Sequence, residues 1–182
     1  MLRLSFNSEI SLSELDSFSL RAVTLALALF KLSVNVEQSD EQIIGSYFHV
    51  LNDLERIGDH AENFHEIGEE MSAKNLKFSD KAQEEINGMC SKIIEMFEIS
   101  KDAFENLNMD GLEKLTSLEN EVDGLKKSLT ASHFVRLAEG SCNVELSPYY
   151  SSAVAGLERV ADHLVNVGYS IKNPIGSQKQ ID

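Results

Sequence analysis

Apolar residues recur every three or four positions along most of this chain, which is the spacing of one face of an α-helix. The alternation of apolar and polar residues that is typical of β-strands is absent from the sequence. The pattern therefore predicts an all-α fold. The five predicted helices run from about Leu12 to Val36, from Ser39 or Asp40 to Ala73, from after Ser79 to Asn108, from Asp110 to Ala138, and from after Ser147 to Asn173 or Pro174.

Residues at the predicted helix ends support these boundaries. Ser39 and Asp40 offer a capping side chain and a negative charge where a helix N-terminus favours both. Gly140 is expected to end the fourth helix, and Pro148 stands in the first turn of the fifth, where proline is tolerated. The predicted connections are short, except for the one from Glu139 to Ser147. Short connections predict antiparallel neighbours.

An internal repeat defines the organisation of the chain. The second helix contains LERIGDHAENF from Leu54, and the fifth contains LERVADHLVNV from Leu157. The same offset pairs the fourth predicted helix with the first and leaves the third without a partner. We therefore predict two three-helix units, the first lacking its leading helix. The predicted division is a truncated first unit over residues 1–77, a complete second unit over residues 78–174 and a polar tail over residues 175–182.

The formal net charge of −14 argues against a nucleic-acid partner and an anionic membrane surface, because both would repel the chain. The same charge favours metal cations. Cys90 and Cys142 are far apart and form no CxxC motif, so a reduced, cytoplasmic compartment is expected. The longest strongly apolar run, Ala22 to Phe30, is too short for a bilayer span of about 20 residues.

Carboxylates spaced four residues apart are the candidate chemistry of this chain. Like charges at this spacing share one helix face and cost a few tenths of a kcal/mol, so repeated pairs suggest a compensating cation. Side-by-side packing of the fourth and fifth helices would bring two pairs together, as a site for iron, manganese, magnesium or calcium. Alternatively, Arg56 and Arg159 neutralise the acids as salt bridges. The candidate ligand pairs are Glu55 with Asp59, Glu119 with Asp123, and Glu158 with Asp162.

The two repeat histidines are weaker ligand candidates. His60 and His163 each follow the repeat aspartate, which places them about 100° around the helix from it. We predict that they form hydrogen bonds beside the site. At the same repeat offset, Asp16 corresponds to Glu119. Leu20 occupies the position that corresponds to Asp123, so the second carboxylate of this pair is missing. The first site is therefore expected to be incomplete.

No enzyme class finds support in the sequence. A ferritin-like di-metal enzyme would use Glu-x-x-His motifs, but the third residues after the candidate glutamates are Gly58, Val122 and Ala161. Nucleophile-elbow, P-loop and dinucleotide-binding motifs are also absent. The prediction is a protein without enzymatic activity, and a plain helical scaffold with solvated acids is an open alternative.

The two E-R-x-x-D-H-x-x-N segments and the run Glu119-Asn-Glu-Val-Asp123 resemble the PhoU domain over about Leu12 to Lys172. HFVRLAEGSC, which begins at His133, is most similar to the C-terminal PhoU-like domain of bacterial sodium/phosphate cotransporters, with a free-standing PhoU regulator as the alternative. The resemblance implies tandem three-helix bundles that bind iron or zinc and regulate phosphate uptake without catalysis. It also implies the transmembrane part of a phosphate transporter as partner, and a homo-oligomer is expected.

Overall fold

The structure is a computed structural model that describes the backbone of residues 38–170 and the side chains of residues 45–170. This part of the chain is helical and contains no strand, which confirms the predicted all-α class. The predicted helix from Leu12 to Val36 lies outside the described residues. The other four agree closely with prediction. They are α1 (Gln38–Ala73), α2 (Asp80–Asn106), α3 (Leu112–Ala138) and α4 (Ser147–Tyr169), with a short 3-10 turn at Val144–Leu146 before α4.

Local side-chain and backbone chemistry accounts for the helix ends. The Ser79 hydroxyl accepts a hydrogen bond from the Ala82 N–H at 3.3 Å and caps α2, which satisfies a donor that the helix itself leaves unpaired. Gly140 follows α3 with a φ of +67°, a left-handed conformation that glycine adopts without strain. The Ser141 N–H then donates to the Arg136 carbonyl at 3.0 Å. This Schellman-type ending explains why α3 stops at the predicted place.

Helices α2, α3 and α4 form a three-helix bundle, and α4 also packs against α1. The buried positions of α2 are separated alternately by four and three residues, which is the spacing of a helix that meets its neighbours along one seam. Because α4 contacts three helices, it is buried on more than one side. The buried residues of α2 are Ala82, Ile86, Met89, Ile93, Met96, Ser100 and Ala103.

The crossing of α1 and α4 depends on a close approach at Gly156. A Cβ atom at this position would lie 2.8 Å from a ring carbon of Phe64, so glycine allows the two helices to come together. Val50, Leu54 and Ile57 recur at helical spacing along α1; Val50 is buried, whereas Leu54 and Ile57 are only half-buried. The close approach at Gly156 therefore brings α1 and α4, the two helices that carry the repeated motif, into direct contact.

The boundary predicted between residues 77 and 78 falls in the connection between α1 and α2. The division into two units remains a prediction, as does the tail at 175–182, which lies outside the described residues. None of the described helices contains a stretch long and apolar enough to cross a membrane.

Candidate metal centre

Three carboxylates converge where α3 packs against α4. Asp123 projects from α3, and Glu158 and Asp162 project from adjacent turns of α4. One oxygen from each residue lies within 4.8 Å of the corresponding oxygens of the other two. All three residues are half-buried, and each helix is anchored by buried neighbours of its ligand residue, such as Val122 and Ala161. The bundle therefore holds the cluster on rigid elements.

Asp162 has the most perturbed carboxyl group in the cluster. Burial, followed by the charges of Glu158, Asp123 and Glu119, raises its pKa from an ordinary 3.8 to about 6, against a smaller opposing effect of His163. The physical cause is that water is partly excluded while like charges are held nearby. A cation at this position would relieve the repulsion.

Glu119 lies near this cluster but is not one of its three mutually close members. Its charge contributes to the raised pKa of Asp162, and its side chain also has an interaction of its own. The sequence prediction of four converging carboxylates thus corresponds to a close group of three in the structure, with Glu119 on the turn of α3 before Asp123.

A lysine already contacts the cluster. The Lys126 ammonium lies 2.8 Å from the Glu158 carboxylate and forms an ion pair across α3 and α4. The Lys126 side chain is 38% exposed and that of Glu158 is 16% exposed. The Lys126 ammonium neutralises part of the negative charge of the cluster. The neutralising partner of Glu158 is therefore Lys126, whereas the sequence suggested arginine.

The corresponding acids of the first repeat are arranged differently. Glu55 and Asp59 are exposed on α1, and Asp59 pairs with Arg56 at 3.6 Å. Within residues 45–170, no third carboxylate, imidazole or thiol joins them in a group of metal-ligand geometry. Asp16, the acid that the repeat places opposite them, lies outside the described residues.

The repeat histidines meet where α1 crosses α4. The rings of His60 and His163 have centroids 6.1 Å apart. His163 Nδ1 lies 2.8 Å from an Asp53 carboxylate oxygen, which also accepts a hydrogen bond from the Asn166 amide at 3.1 Å. Burial lowers the pKa of His60, and the neighbouring His163 and Arg159 lower it further. His163 forms the hydrogen bond that the sequence predicted for the repeat histidines. Its partner Asp53 was not predicted, because this residue precedes the repeated motif.

The donor set fits a hard or borderline divalent cation. Three carboxylate oxygens at separations below 4.8 Å match the oxygen ligands preferred by magnesium, calcium and manganese, and iron also accepts them. Zinc sites more often include thiolate or imidazole, and neither joins this group among the described side chains. Asp123, Glu158 and Asp162 are the residues that would hold such an ion, and it would tie α3 to α4.

In chelator-treated protein, Asp162→Asn is expected to raise the free energy of unfolding at about pH 7.5 by about 1 kcal/mol, allowing for solvent screening of a half-buried group. The folded-state pKa is raised to about 6, so the folded protein binds this proton more tightly than the unfolded chain. Wild-type stability should therefore fall as pH rises from about 4 to about 6. The variant should lose that dependence. Urea unfolding of both proteins across this pH range measures the pH dependence of their free energies of unfolding.

The control for this experiment is Asp59→Asn, which changes the equivalent residue of the exposed first repeat. It should leave the pH profile of stability close to that of the wild type. If Asp162→Asn also left the profile unchanged, the electrostatic strain assigned to the cluster would be wrong.

Part of the chain is similar in sequence to a known protein family. The sequence model of the PhoU domain matches residues 86–171, which include all three clustered carboxylates. The chain is 27% identical over 150 residues to phosphate-specific transport system accessory protein PhoU homolog 1 of Thermotoga maritima, covering 75% of this chain and 64% of that protein. It is 25% identical over 134 residues to the PhoU homolog of Deinococcus radiodurans, covering 73% of this chain and 61% of that protein.

A PhoU homolog of Clostridium acetobutylicum is 25% identical over 141 residues, which cover 78% of this chain and 63% of that protein. The chain thus spans a little under two thirds of the length of these curated relatives. No solved structure matches the chain significantly.

Proposed function

Because this chain carries a PhoU-like domain over residues 86–171, we propose that it is a non-enzymatic regulator of phosphate transport. The relatives that support this proposal are named as accessory proteins of phosphate-specific transport systems. Those names favour the alternative of a free-standing PhoU-type accessory protein over the expected C-terminal domain of a sodium/phosphate cotransporter. Its partner in this proposal is a transmembrane component of a phosphate transporter, reached from the cytoplasmic side.

The observation that carries a regulatory role for this chain is the carboxylate cluster inside the matched domain. Asp123, Glu158 and Asp162 hold ligand atoms within 4.8 Å of one another on two different helices. We propose that they bind a divalent cation, with iron as the family-implied metal that best suits an all-oxygen donor set. Binding would stabilise one packing of α3 on α4. A metal ion of this kind acts as a structural ligand and supplies no reaction step.

Regulation then requires that the metal-bound and metal-free domains differ in affinity for the transporter. A ligand shifts a conformational equilibrium only by its differential affinity for the two states. In this proposal, the bound ion fixes the relative position of α3 and α4, and the surface that they share is the one presented to the transporter. The competing hypothesis is a helical scaffold whose acids bind no metal.

Deletion of the coding region in the native organism is expected to raise phosphate uptake during phosphate-rich growth, because a restraint on the transporter is removed. Uptake of labelled phosphate in phosphate-rich and phosphate-poor media measures this effect. Complementation with the wild-type chain should restore the restraint, and complementation with Glu158→Ala plus Asp162→Ala should restore it only weakly.

The matched control is Glu139→Ala plus Glu145→Ala, which removes two exposed acids from the connection between α3 and α4. This variant should complement fully. Unchanged uptake after deletion in both media would contradict the regulatory function. Full complementation by the Glu158 and Asp162 double variant would favour the metal-free scaffold.

A further inference from the structure

The charge of Lys126 acts directly on the carboxylate cluster, because its ammonium pairs with one of the three carboxylates. It follows Asp123 by three residues on α3, so the two side chains lie on the same side of the helix. Its ammonium reaches across to α4 and lies 2.8 Å from a Glu158 carboxylate oxygen. Glu158 is also one of the three residues whose oxygens lie within 4.8 Å of one another. One carboxylate therefore belongs both to the ion pair and to the proposed metal site.

We propose that Lys126 is a built-in counter-ion that competes with the divalent cation for Glu158 and sets the affinity of the site. This inference rests on the metal binding proposed above. In the metal-free protein, the ammonium neutralises part of the charge held between α3 and α4. A divalent cation within coordination distance of Glu158 would lie a few ångströms from the ammonium, where two positive charges repel strongly at the reduced dielectric of a half-buried site. Metal binding therefore requires Lys126 to move away from Glu158.

This competition gives the site a preference for divalent over monovalent cations. Displacing the ammonium means breaking an ion pair whose Glu158 partner is only 16% exposed. A monovalent ion offers the carboxylates no more charge than the ammonium it replaces, whereas a divalent ion offers twice that charge. The side chain of Lys126 is 38% exposed, so it can swing into solvent without disturbing the core. Lys126 is thus a specificity-determining residue of the proposed site.

The test is a calorimetric titration of chelator-treated full-length chain with Mn²⁺, comparing wild type with Lys126→Gln. Removal of the competing charge should tighten Mn²⁺ binding about tenfold, which corresponds to about 1.4 kcal/mol. Lys127→Gln is the matched control, because Lys127 is the next residue of α3, is exposed and carries the same charge. It should change the affinity less than about twofold. Lys126→Arg, which keeps the charge, should stay close to wild type.

A second readout does not depend on the binding constant. Without metal, Lys126→Gln should have a lower melting temperature than Lys127→Gln, because the carboxylates lose their counter-ion. Saturating Mn²⁺ should abolish that difference. Mn²⁺ binding that is no tighter in Lys126→Gln than in Lys127→Gln would overturn the role of Lys126 and leave the metal site standing. Absence of Mn²⁺, Fe²⁺ and Zn²⁺ binding in every variant would overturn both.

Discussion

Replacement of Arg136 by methionine is expected to lower the free energy of unfolding by about 3 kcal/mol. Arg136 on α3 forms an ion pair with Glu85 on α2 at 2.8 Å, and their side chains are only 11% and 7% exposed. Methionine would fill much of the same volume but would leave the Glu85 carboxylate buried without its cation. Breaking a buried ion pair from one side costs far more than the pair itself contributes, because the remaining charge keeps its desolvation penalty.

The surroundings of Glu85 show how strongly this carboxylate depends on its partners. Burial alone would raise its pKa, but hydrogen bonds from Tyr150, Arg136 and Ser132, together with the charge of Arg136, hold the pKa below its ordinary value. The Tyr150 hydroxyl donates to Glu85 at 2.7 Å, and burial followed by this hydrogen bond raises the pKa of Tyr150 to about 12. The His133 ring stacks on Tyr150 with centroids 4.6 Å apart. Arg136 is thus the cation of a network that joins α2, α3 and α4.

Urea unfolding at about pH 7 measures the loss, with Lys92→Met as the control. Lys92 pairs with Glu121 across the same two helices, but these side chains are 33% and 51% exposed, so its replacement should cost less than about 1 kcal/mol. Adding Glu85→Gln to Arg136→Met should recover at least about 1 kcal/mol, because a neutral amide is less costly to bury than an unpaired carboxylate. An Arg136→Met variant as stable as Lys92→Met would contradict the structural account.

The helices could be predicted from the sequence because their signals are local. Apolar spacing, the Ser79 cap, the Gly140 ending and the position of Pro148 all act within a few residues of the chain. The seam of α2 follows the same local spacing, since Met89, Ile93 and Met96 recur every three or four residues and are buried. Such features need no knowledge of tertiary packing.

The polar network and the α1–α4 contact could not be predicted, because they join residues far apart in the chain. Glu85 and Arg136 belong to different helices, and no spacing rule relates them. Gly58 and Ala161 are small residues at equivalent positions of the two repeats, and small residues allow helices to pack closely. Ala161 is buried, but a Cβ at Gly58 would meet no described neighbour within 4 Å. The close approach of the helices occurs instead at Gly156, outside the repeated motif.

The two repeats offer the same acids in unequal surroundings, and this inequality could be predicted only in part. Leu20 occupies the position of the second carboxylate of the first site, so the sequence already predicted weaker metal binding there. The structure adds a cause within the described chain, since Asp59 is 57% exposed and pairs with Arg56, whereas Glu158 and Asp162 face Asp123 across a helix contact. Ligands held on two packed helices are preorganised, and exposed ligands on one helix must be ordered at binding.

Glu158→Ala plus Asp162→Ala is therefore expected to weaken divalent metal binding by at least about 100-fold, since loss of even a supporting residue of a metal site costs 10- to 100-fold. Glu55→Ala plus Asp59→Ala should weaken it by no more than about threefold. The two variants are matched, because each removes the same two acids from the same motif and changes the net charge equally. Elemental analysis of protein purified without chelator, followed by titration with Mn²⁺ and Zn²⁺, measures both. Equal metal content in the two variants would exclude the α3–α4 cluster as the binding site. The reverse order would assign the metal to α1, with ligands from the residues before Gln38 or from a second copy of the chain.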